Sequence, residues 1–241
     1  MANRDLERAN EQAREVWDEN VTMVKRKDRV LLVIANLTTH GRTDLRWLYR
    51  LLELAAIYVA RLILGLAYRR VYALTGDRAS AETFVSALAT LAVDPQTRAV
   101  DVLLHLHGEH QILWFADRAV YLDQLQALIA GQLPEPGLRG RLRLLYSTAC
   151  YGAEHAVAFV DTGFRVASGA IAVNANGPWD YPVQLLFWGL GVPYRTALSA
   201  GNNRLIARIH DWVARKLRFE DVNSIKTAAG DGATRITSPA G

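Results

Sequence analysis

Five short, largely apolar runs recur along this chain: 30–35, 70–74, 100–104, 142–147 and 170–173. The first, Val30-Leu31-Leu32-Val33-Ile34-Ala35, has no polar alternation at all. A strand of that kind must be covered on both faces, which an antiparallel sheet facing water on one side does not do. The stretches between the runs supply the cover. Helical spacing of apolar residues predicts helices over 44–66, 80–93, 123–131, 153–162, 181–190 and 203–217. Ser80 is placed to cap the second of these, with Glu82 in its first turn. Strands alternating with helices predict an α/β fold with a mostly parallel central sheet and helices on both faces. Residues 111–122 read as a hairpin turning near Ala116-Asp117-Arg118. Asp231-Gly232 reads as the turn of a second hairpin, with edge strands at 224–228 and 233–237.

Ahead of the first strand, Leu6, Ala9, Ala13 and Trp17 fall on one helical stripe, and Lys25-Arg26-Lys27 follows as a charged linker. Residues 1–28 are therefore expected to form an N-terminal helical arm, and 29–241 a single domain. A chain that is 51% hydrophobic can bury a real core and is not disordered. The net charge is +4, but the cations are scattered arginines without interleaved aromatics, so nucleic acid is not an expected partner. Leu45–Tyr68 is very apolar, yet Arg46, Arg50, Glu53 and Arg61 interrupt it, so it is not expected to span a membrane. The helix at 44–66 and the arm are the candidate surfaces for self-association or a partner protein. The first residues carry no basic-then-apolar signal, and a cytoplasmic location is the default expectation.

One cysteine, Cys150, excludes an intramolecular disulfide framework and any cysteine-rich zinc module. It lies just past an apolar strand. In an open parallel sheet, ligands bind at the carboxyl ends of the strands. Those ends carry Thr38 to Arg42, His105 to His110, Thr148 to Gly152 and Asn174 to Asp180. Two dipeptides stand out: His107-Gly108 and Ala149-Cys150, 43 residues apart from histidine to cysteine. A thiolate attacks a carbonyl carbon, and an imidazole handles the proton. A glycine after the histidine lets backbone approach the substrate, so its N–H can join that of Cys150 in an oxyanion hole.

These paired strand-end motifs, His-Gly then Ala-Cys, resemble the caspase-like cysteine peptidases. The block Leu144 to Cys150, with Ser168-Gly169-Ala170-Ile171-Ala172-Val173 after the next helix, looks most like the CHAT-type branch. The resemblance covers residues 29–217. It implies a cysteine endopeptidase acting on polypeptide, with His107 and Cys150 catalytic, Gly108 and Cys150 in the oxyanion hole, and no cofactor. It also implies that the loops after the first and fifth strands line the substrate cleft. These nominate His40 and Arg42, then Asn176, Trp179 and Asp180. Thr148 stands where caspases typically carry glutamine and basic-specific metacaspases an aspartate, so an acidic pocket of that kind is not expected and the cleavage preference is undetermined.

Three other readings compete. A caspase-like chain can be a catalytically inactive scaffold. His105, His107 and His110 resemble the metal-binding run of metallo-β-lactamase-fold hydrolases, with Glu109 where aspartate is usual. Thr148-Ala149-Cys150-Tyr151-Gly152 resembles a nucleophile elbow lacking its first glycine, with His210 as the downstream base.

Overall fold

In the computed structural model, residues 23–240 are described. The chain builds an eight-stranded sheet in the order β2-β1-β3-β6-β7-β8, with β4 and β5 attached to the end of β3. The strands are β1 (Arg29–Asn36), β2 (Arg70–Thr75), β3 (Ala99–Glu109), β4 (Ile112–Trp114), β5 (Ala119–Tyr121), β6 (Leu142–Ser147), β7 (Val166–Ala170) and β8 (Lys226–Gly230). From β2 through β7 the main sheet is parallel, and β8 closes it antiparallel to β7. The helices are α1 (Arg46–Leu64), α2 (Ala81–Val93), α3 (Leu122–Gln132), α4 (Pro136–Arg139), α5 (Gly152–Asp161), α6 (Gly177–Gly189), α7 (Tyr194–Gly201) and α8 (Arg204–Lys216).

Alternation along β1 explains why its run is apolar throughout. Val30, Leu32 and Ile34 enter one core with Phe84, Leu88 and Ile129 of α2 and α3. Leu31, Val33 and Ala35 enter the other with Ala56, Ala60 and Leu64 of α1. Each fully buried aliphatic side chain stabilises the fold by about 1.5–3 kcal/mol, so a polar residue on either face of β1 would be costly. The α/β fold, its parallel sheet and its two helical layers are as the sequence predicts. Ser80 caps α2 by accepting from Thr83 N at 3.2 Å. No helix among the described residues is long and apolar enough to cross a membrane. α1 buries one flank, while Trp47, Leu51, Tyr58 and Leu62 stay exposed on the other.

Several boundaries differ from expectation. The fifth strand is Val166–Ala170 rather than 170–173. Its core, Ala-Ser-Gly, does not look apolar, but Ser168 is buried and its hydroxyl bonds Tyr194 Oη. Residues 171–173 instead donate their N–H groups to Ile225, Asn223 and Asp221. The tail is one edge strand, β8, not a hairpin. Beyond Asp231 the carbonyls of Ile236, Ser238 and Pro239 are taken by Arg29, Arg143 and Arg165 instead of a strand ladder. A helix at Tyr194–Gly201 precedes the expected one, which Asn203 starts by accepting from Leu205 N and Ile206 N. The predicted arm at 4–20 lies outside the described residues; Val24 packs against Ala99 and Ala240.

Gly169 is fixed by close backbone contact. A Cβ there would meet Gly152 C, Cα and O at 2.3, 2.4 and 2.5 Å, where α5 starts against β7. Gly169→Ala is expected to lower stability by roughly 2–3 kcal/mol. A urea midpoint equal to that of the wild type would contradict this packing account.

Candidate active site

The carboxyl ends of β1, β3 and β6, with the segment after β7, open into one cleft of about 340 Å³. It is roofed by α1, α6 and α8. β3 brings His107 there, and it runs further than the apolar pattern predicts. It pairs with β1 as far as Leu106, then continues as His107-Gly108-Glu109 paired antiparallel with Trp114, Leu113 and Ile112 of β4. His107-Gly108 is thus the continuation of the strand and not a loop beyond it, because the hairpin supplies the partner that the main sheet no longer does.

Cys150 arrives on a tight turn. Thr148 N donates to Leu104 O at 2.9 Å as β6 ends, and Tyr151 N donates to Ala172 O at 3.0 Å. Tyr151 itself is left-handed, with φ of 54°. That conformation costs a non-glycine residue about 1–2 kcal/mol. Its hydroxyl is tied to Asp221 Oδ2 at 2.9 Å. Asn174 closes the far side: its N–H approaches Cys150 Sγ at 3.5 Å, and its Nδ2 donates to Thr148 O at 2.9 Å. The two dipeptides meet through backbone. A Cβ on Gly108 would fall 2.5 Å from Cys150 O and 3.0 Å from Ala149 Cβ, so only glycine fits there.

His107 Nε2 lies 2.8 Å from Leu37 O. A carbonyl only accepts, so Nε2 carries the proton and Nδ1 holds a lone pair. The carbonyl is itself held in place. Glu53 of α1 accepts from Leu37 N, from Thr38 N at 2.7 Å and from Thr38 Oγ1 at 2.9 Å. The edge of Tyr49 meets the imidazole, with ring centroids 5.1 Å apart.

Burial pushes the His107 pKa below its ordinary value, against the Leu37 carbonyl and Glu53, which raise it. Burial also pushes the Cys150 thiol up, partly offset by the Asn174 N–H and by Lys226. At neutral pH the pair therefore rests as thiol and neutral imidazole rather than as an ion pair.

The other sequence candidates are distributed unevenly. Thr148 lines the cleft, its hydroxyl between Leu104 O at 3.3 Å and His105 Nδ1 at 3.1 Å. His40, Arg42, Asn176, Trp179 and Asp180 do not line it. His40 bonds Phe115 O at 2.7 Å and leans on Trp114. Arg42 is paired with Asp44 and donates to Leu217 O. Asn176 is buried with no side-chain partner, and Trp179 is 40% exposed. Asp180 accepts from Tyr146 Oη at 3.0 Å and from Lys226 in the interior. The metal alternative is not favoured: His105 is turned to Thr148, His107 to Leu37 O and His110 to Glu154, and no metal-binding cluster occurs among the described residues.

Three groups that line the cleft are not among the site residues expected from the peptidase resemblance: Asn174, Tyr49 and His210 of α8. Asn174 stands at a predicted strand end and could have been nominated on that ground. Tyr49 sits in an apolar helix with nothing local to mark it. His210 enters the sequence reading only as the base of the elbow alternative.

Histidine burial makes the fold acid-sensitive. His105 is pushed down to about 3 by burial and by Lys226, and His155 is lowered by burial. A depressed imidazole stays neutral in the folded chain while the unfolded chain takes up protons below about 6.5. Stability is thus whole above pH 6.5 and falls as pH drops toward 3, by up to about 1.4 kcal/mol per pH unit per histidine. Urea midpoints at pH 7, 6 and 5 should fall in that order; a flat series would contradict it.

No family model matches the sequence. No curated protein matches it either. Among solved structures the chain is similar to one described as the structure of pro-sf-caspase-1, at 13% sequence identity and a TM-score of 0.49, covering 88% of this chain and 94% of that one.

Proposed function

We propose that this chain is a caspase-like cysteine endopeptidase, with Cys150 as nucleophile and His107 as general base and then general acid. The observation that carries the reading is the meeting of His107-Gly108 with Ala149-Cys150 across adjacent strands, on an imidazole whose Nε2 is committed to Leu37 O. The free Nδ1 is then the acceptor for the thiol proton. Sγ attacks the peptide carbonyl carbon, the carbonyl oxygen becomes an oxyanion, and the proton moves to His107. The N–H groups of Gly108 and Cys150 are the proposed donors to that oxyanion. His107 returns the proton to the amine as the C–N bond breaks, leaving a thioester on Cys150. Water, deprotonated by His107, hydrolyses the thioester and restores the thiol.

The resting thiol is neutral, so the nucleophile forms when substrate is present rather than beforehand. Slow alkylation by small electrophiles at pH 7 is compatible with activity. The test is cleavage of an unfolded protein substrate, with products read by mass spectrometry. The wild type should cut it, and Cys150→Ala should abolish cleavage. Equal cleavage by both would overturn the assignment. A folded wild type that cuts nothing would favour the scaffold reading.

A further inference from the structure

The cleft beside Cys150 carries information about what it accepts. Its walls are Leu48, Leu52 and Val59 of α1 and Val213, Ala214 and Leu217 of α8, closed by Tyr181 and two prolines of α6. Among the described residues, no aspartate, glutamate, lysine or arginine lines it. The three helices do carry charged residues, but Arg46, Arg50 and Lys216 are exposed and several others are turned to other partners. Glu53 of α1 is bound to the backbone of Leu37 and Thr38. Asp180 of α6 is paired with Lys226 in the interior. Asp211 of α8 accepts from Ser224 Oγ at 2.5 Å. Arg42, whose guanidinium touches the Leu217 carbonyl at the rim, is paired with Asp44. Of the imidazoles in the cleft, His105 stays neutral down to about pH 3.

We infer that the cleft takes a large uncharged apolar side chain, aliphatic or aromatic, on the acyl side of the cleaved bond. This rests on the peptidase reading above and names its substrate class. A charged side chain entering the cleft would lose its water and meet no counter-ion, whereas an apolar one gains by leaving water. A volume of about 340 Å³ is at the small end of ligand sites and suits one side chain with its adjoining backbone.

The experiment uses four peptidyl acyloxymethyl ketones that differ only in the residue next to the reactive group: leucine, phenylalanine, aspartate or lysine. Attachment to Cys150 is followed by intact mass, with Cys150→Ala as the blank. The leucine and phenylalanine probes should label about 10²-fold faster than the aspartate and lysine probes. A second variant, Val213→Asp, puts a carboxylate on a 42% exposed rim position that tolerates it. It should raise the rate of the lysine probe relative to the leucine probe by about tenfold. If the aspartate or lysine probe reacts fastest with the wild type, the apolar assignment is overturned while the peptidase reading stands. If no probe labels Cys150 in the folded protein, both fall.

Discussion

His107→Ala is expected to lower kcat/KM for peptide cleavage by about 10²–10⁴-fold. The size follows from the resting state of the pair. A thiol already ionised beside an imidazolium would keep some reactivity without its histidine. Here burial holds the thiol protonated and the imidazole neutral, so the proton must move during attack. Without His107 the thiol loses its proposed proton acceptor, and the leaving amine also loses its acid. The pH profile separates this role from a structural one. Wild-type activity should persist into mild acid, because the lowered His107 pKa keeps the base unprotonated below pH 6.5. The residual activity of His107→Ala should instead climb only above the ordinary thiol range, following the fraction of thiolate. His210→Ala provides the contrast. His210 lines the same cleft from α8, and its loss is expected to cost far less. If His210→Ala were the crippled variant and His107→Ala remained active, His210 would be the base and the dyad assigned here would be wrong.

The parallel sheet was legible because apolar runs such as Val30–Ala35 admit one environment, buried on both faces. The same logic failed at β7, where small residues and Ser168 hide a strand that tertiary bonding satisfies. It failed again at the tail, where a turn was visible but the arginines that take the tail's carbonyls were far away in sequence. The site shows the same division. His107 and Cys150 could be proposed from the sequence because a strand end is a local signal. The Leu37 carbonyl that orients His107 could not, since it depends on Glu53 binding the β1 loop from the next helix. Likewise, no local pattern marks the absence of charge in the cleft. It follows from Glu53, Asp180 and Asp211 each facing a partner contributed by a different segment.

Arg143→Met is expected to cost about 3–5 kcal/mol of stability while leaving cleavage per folded molecule unchanged. Arg143 and Asp101 are both fully buried and paired in two-pronged fashion, Nε to Oδ1 at 3.0 Å and Nη2 to Oδ2 at 2.5 Å. Such a pair contributes little relative to an apolar replacement of both, but removing one partner strands the other's charge in the core. Asp101 would keep only Tyr68 Oη and Leu144 N as donors. The Ser238 carbonyl would also lose its donor, and that of Ile236 would keep only Arg29, so the tail that covers this end of the sheet should loosen. The Ser238 carbonyl decides the outcome of the double variant. Arg143→Met with Asp101→Leu removes the stranded charge but not the unmet Ser238 carbonyl, so it should recover only part of the loss. The chemistry should be spared because Asp101 lies six residues before His107 on β3, about 20 Å along an extended strand. Urea midpoints measure the stability, and cleavage rates at low temperature, where the variant remains folded, measure the activity. A loss under about 1 kcal/mol would mean that the pair is not carrying a desolvated charge. A loss of activity in fully folded protein would mean that the amino end of the sheet is coupled to the cleft after all.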